Sequence, residues 1–216
     1  MNKKSGLVKC KSSFTSDNFN FEVDVIFQLN AFSEYIKLTN EIIDQKVKSK
    51  ITEYQELDKK NDMFFDMTDF EIKINTHQLF YNSLFVSLFS FLERSMYKLC
   101  KLAESKHHIK IKDLSETGVY LYKKYLKLVL KIDFVPLNKE WTEISKLNDL
   151  RNLIIHGPTT IVNKNNKPQL ITTLKNIKGL SSKDLGDSID FYIEELTLLN
   201  TFSKTIHNFL SEIYFE

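Results

Sequence analysis

The sequence predicts an all-α (mainly α) chain: an antiparallel bundle of four to five helices with minor β decoration. Three observations carry that prediction. Gly and Pro number only 5 and 3 in 216 residues, too few for the frequent turns of a sandwich or barrel. The five glycines are isolated, so no Gly-rich phosphate loop of a Rossmann or P-loop fold is available. Several long stretches repeat apolar residues at helical spacing without a breaker. With 42% hydrophobic residues the chain has material for a real core.

The elements follow in order. Residues 1–17 read as a polar lead-in with no apolar core of signal-peptide length. Phe19, Phe21, Val23, Val25 and Phe27 then alternate with mostly polar residues, the period of a strand or extended docking segment. A helix start is the other reading, because residues 30–61 read as helix through Phe32, Tyr35, Ile36, Ile42, Ile43, Val47, Ile51 and Tyr54. Residues 61–75 read as acidic and irregular, with a short alternation at Phe70, Ile72 and Ile74. A second helix is expected from about Thr76 to Ser105, its apolar band wide enough for a central position. A third is expected from Ser115, as N-cap, to Ile132. Pro136 separates it from a fourth, Asn138 to His156, which Gly157 and Pro158 stop.

Beyond that stop, 159–162 and 170–174 flank an Asn/Lys turn and read as a small β-hairpin. Residues 179–186 read as a linker. A last helix from Ser188 to about Tyr214 carries Ile189, Ile193, Leu196, Leu199, Phe202, Ile206 and Phe209 on one stripe. The expected organisation is an N-terminal extension plus first long helix over 1–75, packed on a helical domain over 76–216.

Cys10 and Cys100 make no disulfide framework and no metal cluster, and read as thiols of a reducing compartment. His107 and His108 have no third ligand beside them, so no metal and no cofactor is expected. The most apolar run, 79–91, is too short and too polar to span a bilayer. The expected location is cytoplasmic, with no membrane partner.

Charge is unevenly spread. Residues 94–183 hold 18 Lys/Arg against 7 Asp/Glu, a net of +11, while the remainder holds 12 against 21. Such a split suits a polyanionic partner, and it also suits a merely solvated lysine face. Of the 30 cationic residues only Arg94 and Arg151 are arginines. An arginine here marks a place that wants a planar, bidentate, permanently charged group.

Arg151 opens the run Arg151-Asn152-Leu153-Ile154-Ile155-His156 at the end of the fourth helix. Asn152 and His156 are i, i+4 and share a face. Arg151 leaves the axis about 140° from His156, so its side chain must curl to join them or serve a second subunit. The set suits RNA cleavage. Histidine exchanges protons near neutrality, and the negative end of the helix favours its protonated form. Arginine holds phosphate and its developing charge. Asparagine hydrogen-bonds without titrating. The attacking group would be an internal 2′-hydroxyl, which selects RNA over DNA. Taken singly, a helix-terminal His is also an ordinary cap and a helical Arg an ordinary ion-pair partner.

This run resembles the R-x4-6-H motif of the HEPN superfamily, in which a polar residue, often Asn, follows the Arg. The central apolar helix with Phe91-Leu92-Glu93-Arg94, the Lys124-Tyr125-Leu126 helix and the approach through Trp141, Leu147 and Leu150 are similar to stand-alone prokaryotic members. The resemblance covers about residues 76–209. It implies a HEPN bundle and a metal-independent endoribonuclease that leaves a 2′,3′-cyclic phosphate and a 5′-hydroxyl. It implies a homodimer with a composite cleft, RNA as substrate, and a toxin or antiphage role with an antitoxin or defence complex as partner. It assigns catalysis to Arg151, Asn152 and His156 and a supporting contact to Glu93. It leaves the RNA-binding residues unknown. Toxins paired with a nucleotidyltransferase antitoxin carry Tyr two residues after the His. Here that position is Pro158, which argues against that pairing. The alternative is a non-catalytic HEPN module that binds RNA, nucleotide or a protein partner. A purely structural helical dimer, with Arg151 and His156 in interface ion pairs, is the second.

Overall fold

The structure, a computed structural model, describes residues 20–61, 68–157 and 159–215. The polar lead-in, Phe19, Cys10 and Pro158 lie outside these residues. The described residues are mainly helical, in agreement with the predicted class. They form six α-helices: α1 (Phe27–Asn61), α2 (Thr68–Glu104), α3 (Gly118–Leu128), α4 (Asn138–His156), α5 (Pro168–Lys175) and α6 (Thr197–Phe215). Three short strands join them: β1 (Thr160–Val162), β2 (Leu180–Asp184) and β3 (Ser188–Ile193). No described helix is long and apolar enough to cross a membrane.

The first correction concerns the N-terminal segment, which is helical and not extended. One π-turn (Glu22–Ile26) leads directly into α1. Asn20 starts it: its side-chain oxygen accepts from the N–H groups of Glu22 and Val23, and its own N–H donates to Asp24. The buried set is Phe21, Val25 and Leu29 at 4%, 0% and 4% exposure, a spacing of four. Val23 and Phe27 of the apparent alternation are exposed at 57% and 71%. Every second apolar residue therefore served solvent, and the helical stripe won.

The second correction concerns residues 160–193. β1 pairs antiparallel with β3, not with 170–174, and β3 pairs antiparallel with β2, giving the order β1-β3-β2. Residues 170–174 belong to α5, where Pro168 occupies the first turn, a place that needs no N–H. The expected linker is β2. The expected start of the last helix is β3, and α6 begins at Thr197. Ile189 and Ile193 fit both a helical and an alternating pattern. Phe191 decides it, since all three are buried on one face of the strand.

Smaller shifts follow the same logic. Residues 68–75 are already helical, so α2 begins eight residues before its expected start. The third helix begins at Gly118 after Thr117. Gly118 has φ +56 and a Cβ there would stand 3.0 Å from Glu93 Oε1, so this turn favours glycine.

The chain gathers into two units. One contains residues 20–29, 89–145 and 203–215. Its core sets Phe209 among Trp141 and Phe134, stacks Phe21 on Tyr214, and buries Leu92, Met96, Leu99 and Leu126. Cys100 is buried here, and burial pushes its thiol pKa up. The other contains residues 30–88 as described, 146–157 and 159–202. Its core packs Phe85 against Phe202 with Leu84, Leu88, Leu174 and the inner residues of β3. Gln78 of α2 clamps the end of β3 there: its amide donates to Ile193 O at 2.8 Å and its oxygen accepts from Ile193 N at 3.1 Å.

Candidate active site

α4 runs over Asn138–His156, the span the sequence predicts, and in the second unit it buries Leu147 and Leu150. That fixes the rotation of the helix. Asp149, Asn152, Leu153 and His156 then share a different face at i, i+3, i+4 and i+7. They form one wall of a cleft of about 500 Å³. The facing wall is Thr160, Ile161 and Val162 of β1, with Lys167 and Leu170 at the start of α5. β1 is held in place by β3. Thr159 and Thr160 hydroxyls both donate to Asp190 Oδ1 at 3.1 Å, which secures the strand just after the helix ends.

His156 occupies the last turn of α4 and is exposed, and Asn152 is half-buried. Both open on this cleft. Arg151 does not line it. Its guanidinium instead curls around the helix and donates from Nη1 to Asn152 Oδ1 at 3.1 Å. The long side chain thus closes much of the angular gap expected from the helical wheel. With its oxygen so engaged, the Asn152 amide keeps its N–H groups for another acceptor.

Glu93 lies in the other unit. It is half-buried on α2, close to Gly118, and its charge contributes to raising the Tyr122 hydroxyl, behind burial as the main cause. Among the described residues, no three His, Cys, Asp or Glu side chains are grouped as metal ligands.

The structure adds two cleft residues that the sequence reading passed over. Asp149 stands three residues before Asn152 on the same face, and burial raises its carboxyl above the ordinary value. Its i−7 spacing from His156 was the available signal. Lys167 had no such signal, because its segment read as a hairpin turn. The cleft therefore offers a neutral donor, a histidine, a carboxyl of raised pKa and an ammonium, with a guanidinium one hydrogen bond away. Comparison with family models, with curated proteins and with solved structures finds nothing that matches this chain.

Proposed function

We propose that the chain is a HEPN-type endoribonuclease that cleaves RNA through attack of the 2′-hydroxyl. The observation that supports this best is the joint placement of Asn152 and His156 in one cleft, with Arg151 hydrogen-bonded to Asn152. The reaction needs an acid–base group near neutrality and a cation for the phosphate, and these residues supply both. The 2′-oxygen bonds to phosphorus, the bond from phosphorus to the 5′-oxygen breaks, and the 5′-oxygen leaves with a proton. A 2′,3′-cyclic phosphate and a 5′-hydroxyl result. His156 takes the 2′-proton or supplies the leaving one, and Asp149 or the histidine of a second subunit completes the pair. The nucleophile is internal to the substrate and its proton goes to a side chain, so the chemistry calls for no metal.

In this reading the protein is a cytoplasmic homodimer with a composite cleft, acting as a toxin or antiphage effector under an antitoxin or defence complex. Incubation of RNA with purified protein in EDTA, followed by end-group analysis, tests it. Cyclic phosphate ends, lost in His156→Ala and in Arg151→Ala, are expected. A 3′-hydroxyl product, or full cleavage by both variants, refutes the assignment. Tight RNA binding without cleavage by the unaltered protein turns the reading to the non-catalytic module.

A further inference from the structure

The first unit carries a second concavity that the cleavage chemistry does not use. Two hollows, of about 580 and 420 Å³, are both lined by Tyr97 and Lys101 and so adjoin, as two lobes of a groove. It runs along the last turns of α2 and onto the loop after it. Its lining includes Lys98, whose ammonium pairs with Asp24 at 2.8 Å, and six residues that bear on a ligand: Arg94, Tyr97, Lys101, Lys110, Lys112 and Tyr122. Four of these are cations. Glu104 is the one carboxylate in the lining, and it is already committed, accepting from the Lys101 ammonium and from Ile111 N–H.

The loop wall is built, not merely solvated. Lys110 Nζ donates to the carbonyls of Glu104 and His107, at 2.8 and 3.2 Å. Tyr125, fully buried, donates to Ile109 O at 2.9 Å and pins the same loop from below. Arg94 and Lys112 are exposed, and among the described residues neither faces a carboxylate. Tyr97 stands exposed beside Tyr122, ring centroids 5.9 Å apart.

Cations spaced along a groove with an exposed aromatic ring between them are what a flexible polyanion with flat, stackable units requires. Taking RNA over DNA from the cleavage reading above, we infer that this groove binds single-stranded RNA, Arg94 and Lys112 taking phosphates and Tyr97 stacking a base. An acidic peptide would use the cations and leave Tyr97 without a role. A duplex would hide the faces on which Tyr97 acts.

The test is binding, so it stands apart from the cleavage reading. A fluorescein-labelled 20-nucleotide uridine oligomer is titrated against full-length His156→Ala protein, which keeps the probe intact under either outcome of the cleavage assay. Saturable binding that steepens as salt falls is expected. Adding Arg94→Gln and Lys112→Gln should make the slope of log affinity against log salt shallower by about 1.4, or 0.7 for each lost phosphate contact. Tyr97→Ala should weaken binding about tenfold while Tyr97→Phe keeps it. Absence of binding, an unchanged salt slope in the double Gln protein, or equal affinity in Tyr97→Ala overturns the proposal. So does displacement of the oligomer by polyglutamate as efficiently as by unlabelled oligomer.

Discussion

The cleft at the end of α4 and the groove at the end of α2 are both concavities at helix C-termini, yet they are built from different chemistry. The groove holds permanent cations around one carboxylate that two neighbours already engage. No histidine lines it. The cleft holds one ammonium, Lys167, but joins a histidine, an amide and a carboxyl of raised pKa on one helical face. The difference teaches that positive charge alone marks where a polyanion rests. Proton transfer requires groups that titrate and are fixed relative to one another.

The largest expected effect tests that division. His156→Ala should lower kcat for RNA cleavage by about 10²–10⁴, the usual contribution of an acid–base group, with little change in affinity for the uridine oligomer. Arg94→Gln with Lys112→Gln should do the reverse, weakening the binding of the uridine oligomer and leaving kcat near its original value. Steady-state kinetics on both proteins decide the matter. If groove substitutions lower kcat and cleft substitutions leave it, the assigned roles are exchanged.

The two sites also rest on different supports. The cleft leans on β1, β1 pairs with β3, and β3 ends in the Gln78 clamp. Gln78→Ala leaves both backbone groups of Ile193 without their partner and should cost about 1–3 kcal/mol in denaturant unfolding. It should slow cleavage while oligomer binding in the groove persists. The groove leans on the Tyr125 hydroxyl. Tyr125→Phe should cost about 1 kcal/mol and weaken oligomer binding, with kcat unchanged. Equal effects of both variants on both readouts would dissolve the distinction between the supports.

The support of the cleft was the part least legible in the sequence. The α4 helix was readable end to end, because Pro136, the apolar stripe and Gly157 bound it. With it came Asn152 and His156 on one face, and so half of the cleft. The other half was hidden. Ile189 and Ile193 are compatible with two periodicities, and only the pairing of β3 with β1 and β2, between residues far apart in sequence, selects the strand. Asn20 capping and the 21-25-29 stripe were likewise masked by a stronger alternation between them. The groove was half visible, as an excess of lysine in 94–183. Its shape depends on how Tyr125 and Glu104 hold the loop, and that is a matter of tertiary hydrogen bonding.

The smallest effects separate the sites by the sign of their response to pH. Asp149 is raised by burial, so the folded state holds its proton more tightly than the unfolded chain does. Its ionised form therefore opposes folding. The penalty is absent below the unfolded value of about 3.9 and complete above the raised folded value. Asp149→Asn should raise the melting temperature at pH 7 and leave it unchanged near pH 3. Glu104 behaves oppositely. The Lys101 hydrogen bond first, and the Ile111 N–H second, hold its carboxyl below the ordinary range. Its contribution is present above the unfolded value of about 4.3 and is lost as pH falls through the lowered folded value. Glu104→Gln should therefore lower the melting temperature at pH 7 and converge on the parent in acid. Thermal melts of both proteins across pH 3–7 read the two signs directly. Two curves bending the same way would mean that burial, and not the pairing of Glu104, governs both carboxyls.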